Sequence, residues 1–496
     1  RECISGTASR VTMLRTAFRL RSAGVRGVAG AARRGVAVQV DNPYSGETAA
    51  TVELAGLQDA KQLLAKSQEA TLSWRQVPLQ SRMETCRKFI EALAADEQVP
   101  LNISQQMGKP LHYAKGEIKG AAERVHAMVG LAPEVLADDV IPFPEGQSGF
   151  RQITREPVGV VLSIAPWNFP LLTAVNSIIP AVLAGNSVVV KHSERTPLCG
   201  EDIARAFRTA GAPEHLVTSL NCSHETTAAV IQDQRIGFVS FTGSVRGGHA
   251  VYASVAKERF IDATLELGGK DGAYVAEDAD LAAAVETLVD GAFFNSGQSC
   301  CGIERVYVHH SHYKAFLEAA KTAVEAYVLG DPMDAATTQG PMAQPNAVPF
   351  LQGQVDEAVR KGATLVTGGR MSAGATGKAR FFVPTLLADC THDMSAMKDE
   401  SFGPLLAVAP VPSDEEALAK MNDSAYGLTA AVFTQDQERA LRMGKQLQAG
   451  TIFMNRCDYL DPLLPWGGVK NTGKGVSLSK HGFDGVTKLK GYNFRF

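Results

Sequence analysis

From Gly159 onward the chain alternates short apolar strands with helices, and this alternation limits the fold more than any other feature. GVVLSIAPWN is a strand running into a proline-rich loop. LTAVNSIIPAVLAG is a helix stopped by Gly185, and NSVVVKHSE is a buried, valine-rich strand of the parallel type. A helix over 197–211, the strand LVTSLNC, a short helix over 224–233, the strand IGFVSFTGS and a helix over 245–257 follow. Strands separated by helices at this spacing predict an α/β fold with a doubly wound parallel sheet, whose ligands bind at the carboxyl ends of the strands. The second half repeats the class. RVYVHH leads into a helix over 312–328, residues 341–362 are helix-rich, and ATLVTGG, FFVPTLLADC, LLAVAPV, AAVFTQD and TIFMN read as strands, with helices near 414–421 and 436–448.

Before this region the chain is helical, with segments over 56–74, 79–96 and 112–133 and no evident chemistry. Residues 138–156 alternate and carry Gly146 and Gly149, which predicts a hairpin too poor in apolar residues to bury a face alone. At 496 residues, two or more cores are expected. The net charge of −3 leaves no footprint for nucleic acid. Eight cysteines without CxxC spacing point to reduced thiols, not a disulfide framework or zinc site. No run of 18 apolar residues exists, so no membrane insertion is expected. Met13–Val40 contains no acidic residue, and Arg15, Arg19, Arg21, Arg26, Arg33 and Arg34 are spaced among apolar residues. That is the composition of a mitochondrial transit peptide and implies the matrix; if the segment is not one, the cytoplasm is implied. Residues 1–12 precede the first methionine, and 1–36 are set apart from the fold.

Five stretches offer chemistry. FFNSGQSCCG places Cys300 and Cys301 between small residues, at the joint between a helix and a strand. Taken alone, the pair also reads as two small buried hydrophobes. LELGGKDG sets Glu266 beside Gly268 and Gly269, where a carboxylate can swing toward a substrate; an exposed loop acid is the plainer alternative. APWNFP carries Asn168 in a loop stiffened by Pro166 and Pro170, a fixed amide of the kind an oxyanion needs, or else a turn cap. GFVSFTGSVRGG ends a strand and opens a helix at Gly243 and Ser244, whose free N–H groups suit a pyrophosphate. Lys191 and Glu194 follow another strand end, where an acid can take both hydroxyls of a ribose and repel a 2′-phosphate. His309, His310 and His312 cluster at a turn; solvent exposure is expected there, not a metal.

Together these strings resemble the NAD(P)-dependent aldehyde dehydrogenase superfamily, from about Val38 to Leu489. PWNFP, VVVKHSE, FTGS, LELGGK, FNSGQSC, ESFGP (Glu400–Pro404) and PWGGVKNTGKG (Pro465–Gly475) arrive in the family's order. The resemblance implies Cys300 as nucleophile with Cys301 an inert neighbour, Asn168 in the oxyanion hole and Glu266 as general base. It implies NAD, more than NADP, bound by Lys191, Glu194, Gly243, Ser244, Trp167, Glu400 and Phe402. Phe169, Trp466 and Tyr459 would line the substrate pocket, with no metal required. It implies a Rossmann-like domain from 38–137 and 157–267, a catalytic domain over 268–465, and an oligomerisation arm from 138–156 and 480–496, giving a homodimer or homotetramer.

The implied reaction oxidises an aldehyde to a carboxylic acid through a thiohemiacetal and a thioester on Cys300. Water activated by Glu266 then releases the acid. Asp271-Gly272 follows ELGGK where the family often has Ser-Pro or Asn-Pro, and PWGG replaces the commoner PFGG. Asp458, Tyr459 and Asp461 suggest an aromatic, locally acidic mouth favouring neutral or amine-bearing aldehydes. Glu266 weighs against a CoA-acylating enzyme, and the intact Cys300, Glu266 and Asn168 weigh against a silent structural relative.

Overall fold

The computed structural model describes residues 37–496. The proposed transit segment, 1–36, lies outside them.

Two mainly parallel sheets organise the chain. The first has six strands, in the order Val217–Ser219, Ser187–His192, Val160–Ala165, Ile236–Thr242, Asp262–Glu266 and Gly473–Lys474, with only the last antiparallel. Every residue of VVLSIA and SVVVKH is buried, as central parallel strands require. Alternate residues feed two cores. Val161, Val188 and Val190 pack on the helices Leu79–Ala95, Leu111–Val135 and Leu172–Ala184, while Val160, Leu162 and Val189 pack toward Ala60 and Leu64 of Leu57–Trp74. The strand order reverses beside Val160–Ala165, so the ends of that strand and of Ile236–Thr242 form a switch-point crevice.

The second sheet has seven strands, with Asp271–Val275 between Ile303–His309 and Thr429–Phe433. Its faces are covered by Leu281–Phe293 and Tyr313–Glu325 on one side and by Ala347–Arg360 and Asp414–Asn422 on the other. Leu267–Lys270 alone joins Asp262–Glu266 of the first sheet to Asp271–Val275 of the second. Glu266 therefore stands at the junction, and Cys300 reaches it from the loop before Ile303–His309.

Gly149–Pro157 pairs with Asp139–Val140 and with Thr487–Arg495 in a three-stranded sheet. The C-terminal strand starts only at Thr487; Phe483 and Val486, inside the stretch assigned to the arm, are buried in the first core. A further helix, Gln98–Met107, lies between the segments expected from the sequence. Pro100 lies in the first turn, where no N–H is needed, and Asn102 and Gln106 are buried polar residues that blur the apolar period. His309 is buried, with Nδ1 bonded to Ser311 Oγ at 2.8 Å, contrary to the expected exposure, while His310 is exposed. Among the described residues no His, Cys, Asp and Glu group could hold a metal, and no helix is long and apolar enough to cross a membrane.

Asn186 cross-ties this architecture. Its Oδ1 accepts from Gly159 N–H at 2.9 Å, and its Nδ2 donates to Ala181 O and Val486 O at 3.0 and 2.9 Å, with the Asn186 side chain itself fully buried. Asn186→Ala should lower unfolding free energy by roughly 2–4 kcal/mol, because it strands buried backbone groups. A urea midpoint matching the wild type would contradict that.

Candidate active site

The loop carrying Cys300 is built from backbone that few sequences tolerate. After Leu281–Phe293, three residues in succession have left-handed dihedrals: Asn295 (φ 53°), Ser296 (φ 59°) and Gly297 (φ 67°). A Cβ on Gly297 would lie 2.2 Å from Gly403 O, so glycine is required there by space as well as by φ. Hydrogen bonds hold the other two in this costly conformation. Ser296 Oγ donates to Gly340 O at 2.9 Å, Asn295 Nδ2 donates to Asn168 O at 3.1 Å, and Gln298 Oε1 accepts from Ala343 N–H at 2.9 Å.

Asn168 reaches this loop from the end of Val160–Ala165. Its side-chain Nδ2 donates one hydrogen to Gln298 O at 3.1 Å, two residues before Cys300, and an amide has a second hydrogen to give. Its carbonyl accepts from Lys109 Nζ at 2.9 Å. Lys109 pairs with Glu117 at 2.5 Å, both side chains about 1 % exposed, and Glu117 Oε1 accepts from Leu171 N–H at 2.8 Å. Burial pushes the Lys109 pKa down, and the Glu117 charge opposes it. Lys109 Nζ also lies 4.2 Å from the centre of the Phe169 ring. Phe169, Phe294 and Tyr113 form an aromatic wall, with ring centres 6.3 and 4.8 Å apart.

The two cysteines differ in environment. Cys300 is half-buried. Cys301 is 4 % exposed, and its thiol donates to Asp458 Oδ1 at 2.9 Å. A hydrogen bond with Cys300, burial and the Asp458 charge all push the Cys301 pKa well up, which disfavours its thiolate. Burial also raises Asp458, to about 7. Asp458 thus faces the thiol of Cys301 and does not lend the mouth an open negative charge. Tyr459 is exposed with the Arg456 guanidinium over its ring, and Trp466 is 5 % exposed in the core that holds Cys301. The expected acidic mouth loses two of its supports.

The glycines of LELGGK have a steric reason. A Cβ on Gly269 would sit 2.1 Å from Cys300 O, and one on Gly268 2.4 Å from Glu400 Oε2. Glu400 accepts from Gly269 N–H at 2.8 Å, and burial raises its pKa to about 8. Lys270 pairs with Glu304 at 2.6 Å, and Glu304 accepts from the Ser401 and Phe402 N–H groups, fixing Phe402 edge-on to Trp167 at 5.5 Å. Across the crevice, Ser244 caps Val245–Ala256 by accepting from Gly247 N–H, with Gly243 just before it. Lys191 is buried and Glu194 exposed, and both line a cavity with Val38, Pro197 and Asn221. An acid and a buried ammonium beside one cavity fit the hydroxyls of a nucleoside ribose, and the capped helix start fits its phosphates.

A sequence profile of the Aldehyde dehydrogenase family matches residues 31–491. The chain belongs to the aldehyde dehydrogenase family. It is 35 % identical over 442 residues to succinate semialdehyde dehydrogenase [NAD(P)+] Sad of Escherichia coli K12, covering 89 % of this chain and 94 % of the relative. It is 36 % identical over 451 residues to succinate-semialdehyde dehydrogenase [NADP(+)] of Deinococcus radiodurans, covering 90 % and 93 %. A solved structure of indole-3-acetaldehyde dehydrogenase complexed with NAD+ superposes with a TM-score of 0.89 at 31 % identity, over 93 % of this chain and 93 % of that one. As an aldehyde dehydrogenase, the protein is an oxidoreductase that oxidises aldehydes with a nicotinamide dinucleotide of the NAD(P) class.

Sequence reasoning passed over Lys109, Glu117, Arg124 and Ser477. A signal for two of them existed. Glu117 and Arg124, seven apart, interrupt the apolar face formed by Ala114, Ile118, Ala121 and Val125 of the aldehyde dehydrogenase's long helix. Lys109→Met should destabilise the fold by roughly 3–5 kcal/mol by leaving Glu117 unpaired, and adding Glu117→Gln should recover part of it. Urea unfolding of the single and double variants checks this.

Proposed function

We propose that the chain oxidises an aldehyde to its carboxylic acid with NAD, through a covalent intermediate on Cys300. The observation that carries the reading is the tie between Asn168 Nδ2 and Gln298 O, which holds an amide donor beside the backbone of Cys300. Cys300 sulfur, its proton lost, attacks the carbonyl carbon, and the oxygen that gains charge is met by the second Asn168 hydrogen and a backbone N–H. Losing one such donor costs on the order of 3 kcal/mol in the barrier. A bound nicotinamide supplies the hydride acceptor. Water then adds to the thioester on Cys300, its proton passing to Glu266, and the C–S bond breaks to release the acid and return the sulfur.

Lys191 and Glu194 would hold the adenosine ribose, Gly243 and Ser244 the phosphates, and Glu400, Phe402 and Trp167 the nicotinamide end. Glu194 disfavours a 2′-phosphate. Arg195, the nearest arginine in sequence, is bound to Asp41 by its guanidinium and is not free to offset that. These features support NAD over NADP. The aromatic wall of Phe169, Phe294 and Tyr113 favours an apolar or aromatic aldehyde. Succinate semialdehyde is the second reading, favoured by the names of the two relatives. Exposed Val140, Ile141, Leu489, Phe494 and Phe496 on and beside the three-stranded sheet favour a homodimer or homotetramer. The arginine-rich, acid-free Met13–Val40 favours the mitochondrial matrix.

Steady-state assays with NAD and NADP on phenylacetaldehyde, propanal and succinate semialdehyde test the reading. Cys300→Ser should lose at least on the order of a thousandfold in kcat, Cys301→Ala should stay within about threefold, and no CoA should be needed. The reverse order of the two cysteine variants would overturn it.

A further inference from the structure

Glu266 is held by hydroxyls, and neither of its oxygens bonds to the thiol it is expected to serve. Oε1 accepts from Ser477 Oγ, and Oε2 accepts from Thr242 Oγ1 at 3.5 Å. Ser477 is only 7 % exposed and cannot drift. Its N–H and carbonyl both pair with Trp466 at 2.8 Å in an isolated antiparallel bridge, and Trp466 is packed in the core that includes Cys301. Leu478 and Ser479 follow with left-handed dihedrals of 59° and 48°, so the chain is turned sharply to present that hydroxyl.

A buried cation also acts on Glu266. Arg124 is 8 % exposed, and its Nη1 is fixed by Leu172 O at 2.7 Å and Asn176 Oδ1 at 3.0 Å. Its charge acts on Glu266, Cys301, Glu117 and Cys300. The other charged or titratable neighbours are accounted for. Lys474, beside Leu265 in the sheet, pairs with Asp262 at 2.7 Å, and Glu400 bonds Gly269 N–H.

We propose that Ser477 is a positioning residue that, by its hydrogen bond to Oε1, fixes the orientation of the Glu266 carboxylate for the attack of water on acylated Cys300. This rests on the reading of Cys300 as nucleophile and Glu266 as base. Burial raises the Glu266 pKa, while the Ser477 hydrogen bond, the Arg124 charge and the Thr242 hydrogen bond pull it down. Removing the hydroxyl leaves burial less opposed, so the base must lose its proton at higher pH. The bridge to Trp466 anchors the backbone that carries this hydroxyl to the core that includes Cys301.

Hydrolysis of p-nitrophenyl acetate by the full chain separates the two halves of the chemistry. The p-nitrophenol burst reports acylation of Cys300, and the steady rate that follows reports deacylation. Ser477→Ala should keep its burst within about twofold, while the acid limb of the steady rate moves up by about one pH unit, a loss of up to roughly tenfold along that limb. Ser477→Thr should restore the wild-type limb. Arg124→Met should shift the limb in the same direction, and Arg124→Lys should shift it less. An unmoved limb in Ser477→Ala, or equal loss of burst and steady rate, would overturn the proposal. A wild-type chain with no burst would overturn the nucleophile reading itself, and this proposal with it.

Discussion

The buried pair of Lys109 and Glu117 holds the site in register. Two opposite charges about 1 % exposed stay folded only when every remaining valence is met, and here the valences are met by the catalytic loops. Lys109 gives its hydrogen to the carbonyl of Asn168, and Glu117 takes the N–H of Leu171. The same Asn168 carbonyl accepts from Asn295 of the loop before Cys300. One ion pair on and beside the long helix thus sets the position of the amide donor, and through it the strained turn that presents the sulfur. The charges are used for registry, since an apolar pair of similar size could match their contribution to stability.

The second constraint is closeness. The site lies where the first sheet passes into the second, through the four residues Leu267–Lys270. The Cys300 carbonyl and the Glu400 carboxylate both press against this segment, at points where any side chain would collide. Cys300 and Glu400 come from separate parts of the chain and can lie this close to the segment after Glu266 because Gly268 and Gly269 have no side chains. Glu304 performs a similar task from below, gathering the N–H groups of Ser401 and Phe402 around a buried lysine.

Much of this was legible in the residues. Valine-rich strands and glycine-stopped helices marked the parallel sheets, since burial on both faces leaves an unbroken apolar run. The order of PWNFP, LELGGK and FNSGQSC marked the family, because each string meets a steric or hydrogen-bonding need that few other residues meet. Lys109 and Ser477 were not legible as site residues, and Glu117 and Arg124 showed only as charges interrupting an apolar helix face. Their roles arise from long-range contacts: Ser477 meets Glu266 only because its backbone pairs with Trp466, and nothing in GVSLSK signals that. His309 misled for the opposite reason, since its place at a turn pointed to solvent and tertiary packing buries it.

Trapping the intermediate tests the central claim most directly. The full chain, mixed with NAD and an aldehyde, is quenched in acid within its first turnovers, digested and mapped by mass spectrometry. The account predicts an acyl group on the sulfur of Cys300, within the peptide that contains Asn295 and Gln298. An acyl group on Cys301, or acid product formed with no acylated cysteine at any quench time, would contradict it.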